Sequence, residues 1–568
     1  MVVDTAGVDV DDSTLAARLG FEEWSADRSA DGCVLIVSES AEPPARSHSP
    51  QVADVDGCLA LWTGVRHTGD QRDEQPIGLR ANDLAEAASV AIRSGGVPGV
   101  GSIVGEWRFV HWDPVQRELT AMSDAVGLDQ IYFHRGGGTV VLGATARCLI
   151  ESGLLPVRLD EDYVRADLAW RAIDARKTGW EGIEALLGGD VLTFSSSGKA
   201  SVRTWWFPPE ADTSPFDPAE RQEEFDALLL EVIRSRLPLG AEVGLYLSGG
   251  VDSTALAALL AQVADVHAIT AYSSRHSAID EREHARRVVA QLGMRHTEVD
   301  VADCWALSAD VLSDSDFDQC VIPVQGPLLR RLLQCAGDVG VDVVFDGNGG
   351  DELLQGPTLF LTEMIKAGHL SRAWSVARFH RTRYRAARFL GAHTAEAVRR
   401  AARGRLRPPQ DEVPDYPSAI QDTIGVGAPY RRWSASHVSS RHLPAVTSPL
   451  LDVRIFRFVA RNPEWLLRYD GWPRALLRTS GSRYLDRPLL ERRGKAYFDG
   501  LAVLGIEREP ARVEHGLAAL VAHGLVEQRQ VDQQLDEARK GDARSAVRVV
   551  RHAGTGLWLS TEYLSQNR

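Results

Sequence analysis

The stretch VGLYLSGGVDSTALAALLAQVA, from Val243 onward, sets a short apolar run, a serine with two glycines, and an alanine- and leucine-rich run in direct succession. The first run is apolar throughout and reads as a buried strand of a parallel sheet. The last is rich in good helix formers, and the spacing predicts a helix beginning just after Asp252 and Ser253. Further apolar runs, VHAITAYSS from Val266 and VDVVFDG from Val341, alternate with the helical runs EREHARRVVAQLG and GPLLRRLLQCAGDVG. That alternation predicts a doubly wound parallel sheet, a fold that binds ligands at the carboxyl ends of its strands. Ser248, Gly249 and Gly250 fall at such an end, where backbone N–H groups and a helix dipole converge on an anion. The glycines allow close backbone approach, and Ser248 and Ser253 add hydroxyl donors. The spacing is not that of a P-loop, which needs a lysine after its second glycine. Read alone, the pattern is equally that of a strand–helix turn built from small residues.

The chain has 568 residues, too many for one hydrophobic core, so two or more domains are expected. Its N-terminal third looks different from the region just described. CLALWTGVRH, GEWRFVHWD, RELTAMSD, IYFHR, TVVLGAT and DVLTFSSSGKASVRTWWF are β-prone runs parted by Gly and Asp turns. NDLAEAASVAIRSG has helical spacing, with Asn82 or Asp83 as N-cap and a glycine at its end. The proline-rich PPEADTSPFDP, Pro208 to Pro218, reads as a linker. The expected division is a domain over 1–207, a linker over 208–218 and a second domain over 219–568. A basic helical insert over 370–407 and mostly helical sequence after it complete the reading.

A net charge of −15 argues against a general nucleic-acid binder. The six cysteines are scattered without a CxxC pair, which fits neither a disulfide framework nor a zinc site and suits a reducing cytoplasm. No signal peptide and no membrane-spanning run is read. A cytoplasmic protein without nucleic-acid or membrane partners is expected.

The S-G-G-x-D-S pattern resembles the pyrophosphate loop of the asparagine synthetase family, and further stretches follow in that family's order. DEREHA, Asp280 to Ala285, is similar to its D-E-x-x-x-A helix start. DGNGGDELLQG, Asp346 to Gly356, resembles S-G-x-G-x-D-E-L-x-x-G. SPLLDVRIFRFVARNP resembles its P-F-L-D segment, and RRGKAYF, Arg492 to Phe498, its R-x-K-x-x-F loop. The resemblance implies ATP and Mg2+ as cofactors and attack of a substrate carboxylate on the α-phosphorus, expelling pyrophosphate and leaving an acyl-adenylate. It implies that Leu247, Ser248, Gly249, Gly250, Asp252, Ser253 and Gly347 bind ATP. Asp252 and Asp351 match the metal ligands, and Lys495 matches the lysine that stabilises charge on the reacting oxygens. Gly347 and Gly349 would let their loop lie against the nucleotide. Glu352 reads as a structural acid at a helix start.

The N-terminal region also resembles that family, through GEWRFVHWDPVQREL and SDAVGLDQIYF, and implies a glutaminase-like β-sandwich of the N-terminal-nucleophile type. Glutamine hydrolysis there needs a cysteine whose free N-terminal amine tunes its thiol. This sequence starts Met1-Val2-Val3, and its first cysteine is Cys33. The family's N-G-E is replaced by Thr63-Gly64-Val65, and the arginine before Asp124 by Ser123. The domain is therefore expected to be catalytically inactive, and the attacking amine to come with the substrate. Two branches of the family work so, lasso peptide cyclases and β-lactam synthetases. The β-lactam branch uses a tyrosine–glutamate pair, and SASHVSSRHLPAVT contains no glutamate; His437 or His442 could act instead. The arginine-rich insert, including Arg381, Arg385 and Arg388 among Trp374, Phe379, Tyr384 and Phe389, reads as a surface for a peptide or protein. The lasso cyclase resemblance implies a precursor peptide as substrate, with a leader-binding protein and a leader peptidase as partners. A small-molecule amide or β-lactam synthetase and a nucleotide-binding scaffold are the competing readings.

Overall fold

Both alternate faces of GEWRFVHWD are buried, and that single strand shows how the N-terminal half is layered. In the computed structural model the described residues are 2–4, 24–28, 33–38, 51–55, 58–66, 84–136, 139–155, 158–171, 174–195, 197–210, 212, 214, 216–275, 280–308, 325–356, 360–366, 368–383, 443–492 and 500–560. Twelve of the strands among them form two antiparallel six-stranded sheets. The first contains β1 (Val2–Asp4), β2 (Trp24–Arg28), β3 (Cys33–Ser38), β8 (Ile131–Gly136), β9 (Thr139–Gly143) and β10 (Ile183–Leu186), in the order β10-β8-β9-β1-β3-β2. The second contains β4 (Gln51–Val55), β5 (Cys58–Arg66), β6 (Gly105–Asp113), β7 (Glu118–Ser123), β11 (Asp190–Phe194) and β12 (Ala200–Thr204), in the order β12-β11-β7-β6-β5-β4.

Val110 and Trp112 of β6 face Ile131, Phe133 and Leu142 in the core between the sheets. Trp107 and Phe109, one residue out of phase, pack with Trp62 against Ala85, Ala88 and Ala91 of the helix Leu84–Gly101. The period of two thus feeds two cores at once. The helix is longer than its sequence suggests. It breaks at Gly96, where φ is 62°, and resumes to Gly101. The expected N-cap residues, Asn82 and Asp83, lie outside the described residues.

Beyond Asp217, which caps the helix Pro218–Ser235, the architecture changes. A five-stranded parallel sheet runs β15-β14-β13-β16-β17, from β13 (Val243–Tyr246), β14 (Val266–Tyr272), β15 (Arg295–Asp300), β16 (Val343–Phe345) and β17 (Ala445–Thr447). β13, β14 and β16 were expected from their apolar runs. RHTEVD of β15 is polar because it forms a sheet edge, and AVT of β17 is too short to show a period. The chain builds outward from β13 to β15, then returns to the other side of β13. That makes the β13/β16 boundary the topological switch point. Leu245 is level with Phe345 in that pairing, so the loops after both strands leave the sheet side by side. The predicted helix after β13 starts earlier than expected, at Val251, and so carries Asp252 and Ser253 in its first turn.

The last helices, Gly500–Arg508, Pro510–Ala522, Gln528–Arg539 and Ala543–Leu559, do two jobs. Leu501 and Leu504 cover Ile269, Val299 and Val344 of the parallel sheet. Leu520, Leu525, Trp558 and Leu559 pack with Tyr132, Val141 and Trp180 of the N-terminal half. No helix among the described residues is long and apolar enough to cross a membrane.

Candidate active site

The turn after β13 is stitched by its own side chains. Leu247 extends the ladder by donating its N–H to the Ile269 carbonyl at 2.9 Å, and the Thr270 hydroxyl donates to the Leu247 carbonyl at 3.0 Å. The Ser248 N–H then donates to Ser253 Oγ at 3.2 Å, and that hydroxyl donates to the Gly250 carbonyl at 3.2 Å. Gly249 takes the left-handed conformation, φ 69°, that turns the chain into the helix. Gly250 is the N-cap and has no side chain with which to cover the first-turn N–H groups of Val251–Leu260. Those donors are the orphans of any helix start, and here they point out of a sheet's carboxyl edge beside the exposed Ser248. The arrangement fits a polyphosphate.

The second loop meets the first directly. A Cβ on Gly347 would come within 3.1 Å of the Asp252 Cβ, and one on Gly350 within 2.6 Å of Asp252 Oδ1. The missing side chain of Gly347 makes room for Asp252. Gly349, at φ 94°, is pressed against Leu450 and Leu451. Asp346 is buried, accepts from Asn348 N at 3.1 Å and Asn348 Nδ2 at 2.7 Å, and is pushed up to about 6 by that burial. Glu352 accepts from the Gly349 N–H at 3.1 Å, the structural role expected of it.

Asp252 and Asp351 are brought together, and what joins them was not foreseen. Arg474 Nε lies 3.1 Å from Asp252 Oδ1, and its Nη2 pairs with Asp351 Oδ1. Arg478, one turn further along the helix Ala475–Gly481, is lowered to about 10 by burial and then by Arg474. Nothing in WPRALLRTSG distinguishes Arg474 from a surface arginine of an amphipathic helix. In sequence, Arg492 is the first residue of the RRGKAYF motif. It donates Nη1 to the Gly249 carbonyl at 3.3 Å and pairs with the buried Glu281, so the two motifs brace the turn from outside.

Among the described residues no three His, Cys, Asp or Glu side chains cluster as a metal cage. Two carboxylates beside a turn that fits a polyphosphate are nonetheless the donor set Mg2+ takes when phosphate oxygens and water fill its remaining positions. The residues present fit a magnesium nucleotide. Lys495, Arg385, Arg388, His437 and His442 lie outside the described residues; Arg381 falls within the helix Leu370–Arg383, but its side chain is also outside them.

In the N-terminal half, Thr63, Gly64 and Val65 are ladder residues of β5 opposite Arg108, Trp107 and Glu106. The Ser123 hydroxyl donates to the Leu187 carbonyl at 2.8 Å. The Asp124 carboxylate accepts from the N–H groups of Val126, Gly127 and Asp129 and so closes its own turn. Cys33 opens β3, paired with Val3.

Residues 224–560 match the asparagine synthase family model, and residues 77–206 match the glutamine amidotransferase domain model. Over 448 residues the chain is 23% identical to amidase chyE of Penicillium rubens, covering 70% of this chain and 64% of that protein. It is 25% identical over 158 residues to an asparagine synthetase (glutamine-hydrolyzing) of Bacillus subtilis, covering 28% of this chain and 25% of that one. It therefore spans less than two thirds of either relative. Among solved structures it is similar to an NH3-dependent NAD synthetase of Campylobacter jejuni, at 19% identity and TM-score 0.18 over 25% of this chain and 60% of that one. With its family model matched over more than half its length, the chain belongs to the asparagine synthase family.

Proposed function

We infer that the protein is an ATP- and Mg2+-dependent macrolactam synthetase, a lasso peptide cyclase. Its substrate is a linear peptide freed of its leader, with an Asp or Glu side-chain carboxyl and a free N-terminal amine. One observation carries the reading. The nucleotide turn and its aspartate pair are assembled, while the positions that would handle glutamine carry Thr63, Val65 and Ser123 where the family has Asn, Glu and Arg. Thr63, Gly64 and Val65 are ladder residues, and Ser123 is tied to a backbone carbonyl. Exposing Cys33 as a terminus would remove β1 and β2, two of six strands in the first sheet. With no ammonia made in the chain, the amine comes with the acid.

The first-turn N–H groups and the Ser248 hydroxyl bind the phosphates, and Asp252 and Asp351 would hold the metal. Bound Mg2+ supplies charge neutralisation on the leaving pyrophosphate. A carboxylate oxygen bonds to the α-phosphorus as the bond to pyrophosphate breaks. The peptide amine then attacks the activated carbonyl, AMP leaves, and the amine loses one proton. Holding both groups in one bound peptide removes most of the entropic barrier to this second step, and a closed pocket keeps water from the activated acid. A leader-binding protein and a leader peptidase would deliver the peptide.

The test is incubation with ATP, Mg2+ and a leaderless peptide, followed by mass spectrometry and AMP quantification. The expected product has lost one water per AMP released, and Asp351→Asn abolishes it. AMP release with an unchanged peptide mass, or amidation that requires added ammonia or glutamine, would sink the reading in favour of a small-molecule amide or β-lactam synthetase.

A further inference from the structure

Arg474 occupies a position that neither its helix nor its neighbours in sequence require. Its backbone has φ 58° and ψ 40°, the left-handed conformation that only glycine adopts without steric cost. Arg117, Trp170 and Leu307 are the other non-glycine residues with positive φ among the described residues. A side chain leaving a helix N-cap in that conformation is aimed differently from one in the helix proper, and here the aim is at the carboxylates. The guanidinium lies between Asp252, in the first turn of the helix after β13, and Asp351, in the short helix Gly350–Leu353 after β16, with a separate nitrogen toward each. Arg474 and Asp252 are largely buried, 12% and 14% exposed, so that arm is not a solvent-screened surface pair, whereas Asp351, 42% exposed, faces solvent. Gly350 completes the fit by leaving room for the Asp252 carboxylate.

We propose that Arg474 is a resident counter-cation of the nucleotide-free site: it holds the two aspartates that would hold the metal, then turns from the carboxylates to the phosphates when the magnesium nucleotide arrives. Two carboxylates that share one guanidinium repel one another and are held together by the cation between them. A permanently charged guanidinium offsets both at once; its Nε makes an ionic contact with Asp252 and no hydrogen bond, an arm that an incoming cation can displace. When the metal nucleotide enters, the cation of the metal replaces the guanidinium at the carboxylates. The nucleotide's own net negative charge then gives the displaced guanidinium a new partner within reach of the same side chain. Arg474 is in these terms a positioning residue. Its left-handed backbone keeps the side chain between the two partners rather than along the helix. The proposal rests on reading the turn as a nucleotide site and is independent of which acid is activated.

The handover predicts opposite changes for metal and nucleotide. Arg474→Gln leaves the aspartates unoccupied by the guanidinium, so Mn2+ alone, followed by electron paramagnetic resonance, should bind about tenfold tighter than in the unaltered chain. The same variant lacks the phosphate partner, so the Mn2+ complex of α,β-methylene-ATP, followed by titration calorimetry, should bind about tenfold weaker. Arg474→Lys provides a second variant. Its point charge cannot bridge both carboxylates yet can still meet a phosphate, so Mn2+ alone should tighten about threefold while nucleotide affinity stays within about threefold. Affinities that fall together in Arg474→Gln would overturn the proposal, leaving a merely structural tie, and so would affinities that do not move. If the unaltered chain bound no nucleotide at all, the nucleotide-site reading itself would fall, an outcome distinct from either of these.

Discussion

Gly350 sets how closely the two loops of the site can approach. It lacks a positive φ, so alanine would suit its backbone and slightly favour the helix it begins. The obstacle is entirely local, because the new Cβ would sit 2.6 Å and 2.8 Å from the two Asp252 carboxylate oxygens. Gly350→Ala should therefore leave the thermal midpoint within a few degrees while weakening magnesium-nucleotide binding about tenfold or more. Calorimetric titration beside a melting curve separates the two effects. Gly349→Ala is the contrasting case, since at φ 94° and against Leu451 it strains the fold itself. At this scale LSGGVDS and DGNGGDE were legible because glycines and acids crowded after a buried strand have few other uses. Arg474 was not, since its role comes from a backbone conformation and a long-range meeting that a one-dimensional pattern does not encode. Arg492 falls between, legible as part of a motif but not as the brace of Gly249 and Glu281.

Helices reveal their packing only where side-chain size leaves a mark. The C-terminal sequence reads as helical, yet nothing in it says that Pro510–Ala522 and Ala543–Leu559 cross at Gly516 and Gly556. A Cβ on Gly516 would lie 2.9 Å from the Ala553 Cα, so the helix backbones are in contact there. The apolar residues beside this crossing, Leu520 and Trp558, bind the N-terminal half. Gly516→Ala should destabilise the protein by about 1–3 kcal/mol, as overpacking of a close crossing does, despite alanine's better helix propensity. Gly524, with φ 63° and open space around it, provides the control, and Gly524→Asn should cost about 0.5 kcal/mol or less. Urea unfolding of both variants checks the pair, and equal losses would contradict the crossing. The same limit on legibility applies to strands. Alternating or uniformly apolar runs such as GEWRFVHWD and VGLYL were readable, whereas RHTEVD and AVT became strands only because a sheet needed edges.

The two halves of the molecule are joined through buried charge as well as apolar surface, which ties the whole to pH. Arg236 is buried between Glu106 of β6 and Asp452, with Thr447 Oγ1 2.9 Å from its Nη1. At the other junction Arg551 pairs with Asp167 at 3.1 Å, and His552 Nε2 stands 3.2 Å from the Leu168 carbonyl. Burial holds His552 down at about 4, opposed by that carbonyl and helped by Arg551 and Arg548. A histidine lowered from the ordinary 6.5 stays neutral in the fold while the unfolded chain takes up its proton. Between those values the unfolded state binds more protons, so this contribution is present above about 6.5 and is lost as pH falls toward about 4. His111 and His284, each also held near 4 by burial, act in the same direction. Asp124 and Asp346, raised to about 7 and about 6 by burial, act oppositely, because there the folded state keeps the proton. The total pH profile is therefore a balance, and His552 is isolated only by difference. Gln in its place can still donate to the Leu168 carbonyl without ever carrying charge. The stability of His552→Gln relative to the unaltered chain should rise by about 1–2 kcal/mol between about pH 7 and about pH 5, measured by urea unfolding at each pH. A difference independent of pH would mean that His552 titrates alike in the folded and unfolded chains, and the junction would then be held by Arg551, Asp167 and apolar contact alone.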